Sequence, residues 1–388
     1  MAVVSGAVAL LAQSHRVASL DVTTAIPAAS AGDGIGNLRM FSTSAGWAQR
    51  LDGGAILHTA RGVGHWTLAS PPTVDRVLAA AYLDAGTAQV LTVPGGAGSA
   101  TTLQSWVTTD GGSAWSRGGG FAVQGYNAGV GGALDFVDPE HGWYSQLEAA
   151  DGLSGTALYG TTDGGAQWSE VAVEAGTAPG TSAVGTIPRL CYGLTATFAS
   201  PSDGWLTGSC LTGPAPLYAT QDGGRSWSAQ ALPALPFSPA GGTSFPPVFT
   251  SPGSGTLLTE NQSLTAVTTS LFATGDGGGS WLLRSTSIGS PVADGFVDAD
   301  RGWLVTAADG AGSATDIFTT ADGGAIWTRL GAFPYAGLSL DFLTAKLGWA
   351  AEDLDQQDAG PAYLIQTDDG GRTWTGVVPE IPTPSPSP

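Results

Sequence analysis

Positive charge is what this 388-residue chain most lacks. It has 13 Lys and Arg against 32 Asp and Glu, a formal net charge of −19, and its one lysine is Lys346. A surface of that sign repels polyanions, which excludes nucleic acid as a partner and argues equally against an anionic membrane surface. A cationic protein partner or a bound cation stays open. Cysteine is scarce as well. Cys191 and Cys210 are the only two, and no CxxC or Cys/His spacing suggests zinc. They flank Phe198 to Trp205, where adjacent antiparallel strands would face them towards each other. A disulfide is the favoured reading, and two small buried thiols are the alternative. No apolar run is long enough to span a bilayer. Met1 to Ala12 has the length of a signal h-region but no basic n-region. Amphipathic helical stretches of useful length are missing too. The four histidines (His15, His58, His65, His141) make no catalytic or metal spacing, and there is no Gly-x-Ser-x-Gly elbow, Walker loop or HExxH. Neither a cofactor nor a metal is indicated.

Glycine is abundant instead, at 59 residues, with 42% hydrophobic and only 12% charged residues. That mixture suits many short strands joined by tight turns. An octapeptide, Thr-x-Asp-Gly-Gly-x-x-Trp, recurs six times, with its Asp at Asp110, Asp163, Asp222, Asp276, Asp322 and Asp369. Steps of 46 to 59 residues separate these copies, the mark of repeated supersecondary units. A seventh, decayed copy runs from Thr59 to Trp66, with Arg61 in the Asp position. The seven closing tryptophans are Trp66, Trp115, Trp168, Trp227, Trp281, Trp327 and Trp374.

A Gly-Trp pair precedes most copies: Gly46-Trp47, Gly142-Trp143, Gly204-Trp205, Gly302-Trp303 and Gly348-Trp349. Gly86-Thr87 and Gly255-Thr256 stand in for it in units two and five. Phe41, Phe136, Phe198, Phe249, Phe296 and Phe342 lie five or six residues before the glycine. Each unit therefore reads as four strands. The Phe lies on the first, the Gly-Trp on the second, and the octapeptide turn joins the third to the fourth. In that turn the Asp carboxylate accepts backbone N–H bonds, Gly-Gly supplies positive φ, and the Trp folds back over the turn. Six repeated staples are structural rather than six active sites. Asp163→Ala is expected to cost about 1–3 kcal/mol if those bonds are buried.

These residues resemble the Asp-box, or bacterial neuraminidase repeat. Together with the Phe and Gly-Trp pattern they are similar to the photosystem II stability/assembly factor-like propellers. The resemblance implies an all-β fold: a seven-bladed β-propeller of four-stranded antiparallel blades over 31–378. Residues 1–30 form an apolar segment, in which Arg16 to Thr24 reads as a possible seam strand. Residues 379–388, rich in Pro and Ser, read as a disordered tail or stalk.

By connectivity, the turns between strands one and two and between strands three and four share one uniform face. The longer connections share the other, at about 117–133, 171–190, 231–248, 285–294 and 329–338, and at 147–157, 306–315 and 351–361. Function is sought on these variable loops, although such Gly/Ala/Ser/Pro segments also serve as permissive linkers. All 13 tryptophans have repeat positions, counting Trp106 on a third strand, so none is left as a sugar platform. Phe121, Tyr126, Phe237, Phe245, Phe333 and Tyr335 remain as candidate partner contacts. A sialidase needs an arginine triad, a Tyr/Glu pair and an acidic Asp. Its Phe/Tyr-Arg-Ile-Pro run is absent, and Ile187-Pro188-Arg189 is the nearest string. Arg61, Arg225, Arg301 and Arg372 lie on the uniform face. The acidic clusters Glu352 to Asp358, Asp298-x-Asp300 and Asp135 to Glu140 match no calcium-loop spacing. The reading is a monomeric, non-enzymatic, extracytoplasmic scaffold, secreted or attached at the cell surface, with a protein partner on the variable face. The alternatives are a secreted glycoside hydrolase of the Asp-box class and a cell-surface sensor or adhesion head.

Overall fold

The computed structural model describes residues 34–51, 54–73, 75–93, 100–124, 132–146, 156–175, 183–188, 192–262, 267–286, 289–307, 315–333, 338–352 and 364–382. Among them there is no helix, and the strands pair almost entirely antiparallel in five hydrogen-bonded sheets, described below repeat unit by repeat unit. Unit one holds β1 (Ile35–Met40), β2 (Gly46–Arg50), β3 (Ile56–Thr59) and β4 (Thr67–Leu68). Unit two holds β5 (Arg76–Tyr82), β6 (Ala88–Val93), β7 (Ala100–Thr108) and β8 (Ser116–Gln124). Unit three holds β9 (Gly132–Phe136), β10 (Gly142–Gln146), β11 (Ala157–Thr161) and β12 (Ser169–Ala175), with β13 (Thr186–Pro188) added in parallel to β12. Unit four holds β14 (Tyr192–Phe198), β15 (Gly204–Cys210), β16 (Tyr218–Thr220) and β17 (Ser228–Ala229). In unit five, β18 (Gly241–Ser244) and β19 (Val248–Phe249) share the first position, followed by β20 (Gly255–Gln262), β21 (Val267–Thr274) and β22 (Leu282–Thr286). Unit six holds β23 (Ser290–Phe296), β24 (Gly302–Ala307), β25 (Thr315–Thr320) and β26 (Thr328–Phe333). Unit seven holds β27 (Leu338–Phe342), β28 (Gly348–Glu352), β29 (Leu364–Thr367) and β30 (Thr375–Gly376).

The core lies between units, because a sheet that is apolar on both faces must bury each against a neighbour. Trp143 and Leu158 of unit three pack with Leu194, Phe198 and Trp227 of unit four. Equivalent clusters join each unit to the next, and one formed by Trp349 and Leu364 with Ile35, Leu57 and Trp66 joins unit seven to unit one. Units seven and one also share a parallel backbone pairing, Gly36↔Glu352, between β1 and β28. The Gly-Trp pair explains its own sequence. Gly204 pairs with Phe198 across the sheet, and a Cβ there would stand 2.5 Å from the Phe ring. The following Trp lies on the equivalent Phe of the next unit: Trp143 on Phe198 at 3.7 Å, and Trp303 on Phe342 at 3.6 Å and 1°.

Four expectations change. In unit two, Ala88 pairs with Tyr82 and with Thr108, so Ala88-Gln89 rather than Gly86-Thr87 occupies the Gly-Trp position. In unit one, Met40 rather than Phe41 faces Gly46. The segment 231–248 is not simply a loop, since it contains β18 and β19. Residues 379–382, expected in the tail, are packed. Glu380 forms a parallel bridge with His65, Trp66 N–H donates to Glu380 O (3.0 Å), and Ile381 packs into the seam cluster between units seven and one. Residues 379–382 are therefore not loose, because backbone pairing and an apolar side chain hold them in place; 383–388 lie outside the described residues. Arg16 to Thr24 lies outside the described residues.

Candidate functional site

The uniform face is built from two turns per unit. In six units the first glycine of the octapeptide donates its N–H to the turn between strands one and two, as Gly164 does to Glu140 O and Gly323 to Asp300 O. Gly62 of the decayed copy does the same to Ser44 O. Within the octapeptide the threonine is the hub. Thr161 Oγ1 donates to Asp163 Oδ1 (2.9 Å) and accepts the Gly165 N–H (2.9 Å), while Asp163 Oδ1 accepts the Gln167 N–H (2.8 Å). Gly164 and Gly165 have φ of 69° and 86°, which an L side chain adopts only with strain. The carboxylates of Asp110, Asp163 and Asp276 stand in water, so they contribute less than buried caps would. Backbone N–H bonding from Gln167, and then the Thr161 hydroxyl, hold Asp163 below the ordinary carboxylate range. The Ser280 hydroxyl and then its N–H take Asp276 down to about 2. Asp298 and Asp138 likewise cap their own turns through backbone N–H groups.

In units three to seven the octapeptide turn is also held by the unit before it. Trp143 Nε1 donates to Gly223 O (3.0 Å) and Trp303 Nε1 to Gly370 O (2.8 Å). Where the Trp is missing, another donor substitutes. Gln89 Nε2 reaches Gly164 O (3.1 Å) from unit two, and Arg284 Nε reaches Gly323 O (3.1 Å) from unit five. Between units three and four this face has a recess of about 580 Å³, lined by Asp163, Trp168, Glu170, Val184, Asp222 and Arg225. Its two aspartates are engaged as caps of their own turns.

On the first strands three carboxylates are driven upwards. Burial raises Asp135 to about 6, against the N–H bond from Phe198 (2.7 Å). Burial raises Asp341 too, against the opposing Arg39 guanidinium (3.0 Å) and the Met40 N–H (2.6 Å). Asp135 and Asp341 thereby tie their units to the next ones. Burial alone raises Asp294 to about 6, and it has no hydrogen bond or ion pair with a described residue.

The candidate partner contacts separate. Phe121 and Phe333 are 7% and 1% exposed, so they are core residues and present nothing to a partner. Phe121 stacks on Trp168 at 5.0 Å, and Phe333 meets Trp374 edge-on at 5.5 Å. Phe245 packs against Leu258, Leu271 and Leu304. Phe237 is half-buried. Tyr126 and Tyr335 lie outside the described residues, as does most of the Glu352 to Asp358 cluster. Cys210 is disulfide-bonded, and Cys191 lies outside the described residues. Among the described residues, no three His, Cys, Asp or Glu group together as metal ligands.

No protein-family model matches the chain, and no curated protein matches it by sequence. Solved structures do resemble it. The GH74 xyloglucanase from Xanthomonas campestris aligns with a TM-score of 0.55 at 18% identity, covering 92% of this chain and 56% of the enzyme. An uncharacterized protein from Listeria monocytogenes aligns with a TM-score of 0.51 at 8% identity, covering 94% and 100%. YCF48 from Cyanidioschyzon merolae aligns with a TM-score of 0.46 at 15% identity, covering 79% and 86%. The chain spans about half the length of the xyloglucanase. At these identities the likeness shows the fold, and the class that fold defines is the β-propeller.

Proposed function

We propose that this protein is a non-catalytic, extracytoplasmic propeller that holds a protein partner on its variable face and acts as a monomer. The observation that carries this reading is how six of its arginines are used. Arg39 pairs with Asp341, Arg301 with Asp298 and Arg329 with Asp316. Arg284 holds the unit-six turn, Arg50 Nη1 reaches Pro382 O, and Arg372 bonds within its own turn. Binding a sugar carboxylate needs converging guanidinium groups, and these are committed to separate scaffold contacts. The raised carboxylates Asp135 and Asp341 serve as inter-unit acceptors rather than as a facing acid pair. The disulfide at Cys210 suits an oxidising compartment.

The reading is tested with xyloglucan, arabinan and sialyl oligosaccharides and a panel of aryl glycosides. No release of reducing sugar above the buffer rate is expected. Turnover that disappears when a single carboxylate is replaced by its amide would contradict it.

A further inference from the structure

We infer that the recess between units three and four is a binding site for a small apolar zwitterion, a free amino acid or a short peptide. It lies on the uniform face and is separate from the protein-binding reading above. Its volume of about 580 Å³ falls within the roughly 300–1,000 Å³ of small-molecule sites.

The sequence leaves this groove open where it bridges the next two. Three residues after the octapeptide tryptophan, unit four has Gln230, which donates to Gly278 O (2.7 Å), and unit five has Arg284, which donates to Gly323 O (3.1 Å). Unit three has Val171 there, with no polar group to make a bridge, and Val171 lines the recess instead. An extra strand then walls the opening. β13 adds to β12 in parallel, and Gly185, just before it, donates its N–H to Arg225 O in the unit-four turn (2.7 Å). Val184 is thereby held in the lining, 77% exposed. An apolar side chain fixed in water beside an open recess is surface that a bound ligand would cover.

The chemistry of the lining selects the occupant. Glu170 stands on β12 of unit three and Arg225 on the turn of unit four. Both are exposed, and neither side chain is bonded to another described residue. They are free to meet opposite charges, an ammonium at Glu170 and a carboxylate at Arg225, the latter through paired guanidinium N–H groups. Val171 and Val184 offer apolar contact to the rest of the ligand. Other ligand classes fit less well. A phosphate or sulfate would meet the carboxylates of Asp163, Glu170 and Asp222 against a single arginine. The tryptophans of the lining are already stacked, Trp143 on Phe198 and Trp168 on Phe121, so neither is free as a platform for a sugar ring. His141 is taken up by Asp138 (2.9 Å).

The test is saturation-transfer NMR on the intact protein with L-leucine and with L-leucyl-L-leucine, which separate the free amino acid from the peptide. The amide of each lacks the carboxylate, and the N-acetyl form of each lacks the ammonium. Binding is titrated for wild type, Glu170→Gln, Arg225→Gln and Arg61→Gln, the last an exposed arginine in the unit-one turn. Equal melting temperatures establish that all four are folded. At least one of the two zwitterions should bind wild type and Arg61→Gln alike. Glu170→Gln and Arg225→Gln should each weaken that binding at least about tenfold, as should removing either charge of the ligand. No transfer to either zwitterion overturns the site. Unaltered binding by Glu170→Gln or by Arg225→Gln, or equal binding of an amide or N-acetyl form, overturns it as well. None of these results bears on the protein partner or on glycoside turnover.

Discussion

Glu380 lies beside His65 in a parallel bridge, with its carboxylate 2.8 Å from His65 Nδ1. The pair joins the last described strand segment to the one unit whose octapeptide has lost its aspartate. Arg61 stands in that position, and Thr59 Oγ1 donates to Gly62 O (2.8 Å) rather than to a carboxylate. Glu380 thus braces the turn that lacks the aspartate. Ile381, half-buried in the seam cluster, contributes more than the exposed ion pair. Ile381→Ala should destabilise by about 1–2 kcal/mol, and Glu380→Ala by no more than about 0.5 kcal/mol. Urea melts of both variants check the order.

The threonine of the octapeptide should matter more than the aspartate. Thr161 is 3% exposed, whereas the Asp163 carboxylate stands in water. Thr161→Val keeps the shape but leaves the Gly165 N–H without its acceptor. A loss of about 2–3 kcal/mol is expected, larger than that of Asp163→Ala. Equal losses in thermal melts would contradict this.

Tyr82 occupies the position where five other units have Phe. It stacks on Trp47 at 5.7 Å and 6°, and its buried hydroxyl has no hydrogen-bond partner. Burial pushes its phenol far above the usual range. Tyr82→Phe removes the unsatisfied group and nothing else. Stability should rise by about 1 kcal/mol, read as a higher urea midpoint with an unchanged slope.

Asp294 predicts a pH dependence. Its folded-state pKa is raised to about 6 by burial, so the folded protein holds the proton more tightly than the unfolded chain. This group therefore lowers stability as pH rises from about 4 through 6. Asp276, held at about 2 by Ser280, acts in the opposite direction and only below about 4. Asp294→Asn should stabilise by roughly 1–3 kcal/mol at neutral pH and leave the melting temperature at pH 4 unchanged. An equal shift at both pH values would show that charge is not the cause.

The repeat made the units legible from the residues alone. The Phe, Gly-Trp and octapeptide positions marked antiparallel strands that the structure shows, with an additional strand in units three and five. What escaped was set by register and by neighbours. A bulge between Gln104 and Trp106 in the β7–β8 pairing, and another between Ile317 and Phe318 in β25–β26, reverse the inward alternation. That is why Phe121 and Phe333 turn into the core. Gln89 and Arg284 replace missing tryptophans through contacts that only the next unit defines. β18 hides in a Gly-Gly-Thr-Ser stretch whose strand character comes from pairing with two neighbours, since glycine gives none of its own.

The account turns on which face meets a partner. A photo-crosslinking phenylalanine analogue placed at position 211, and separately at position 326, in the intact protein expressed in its own cells addresses this directly. The account predicts a discrete protein adduct from 211 and none from 326. Adducts from 326 alone, or from both positions equally, would contradict it.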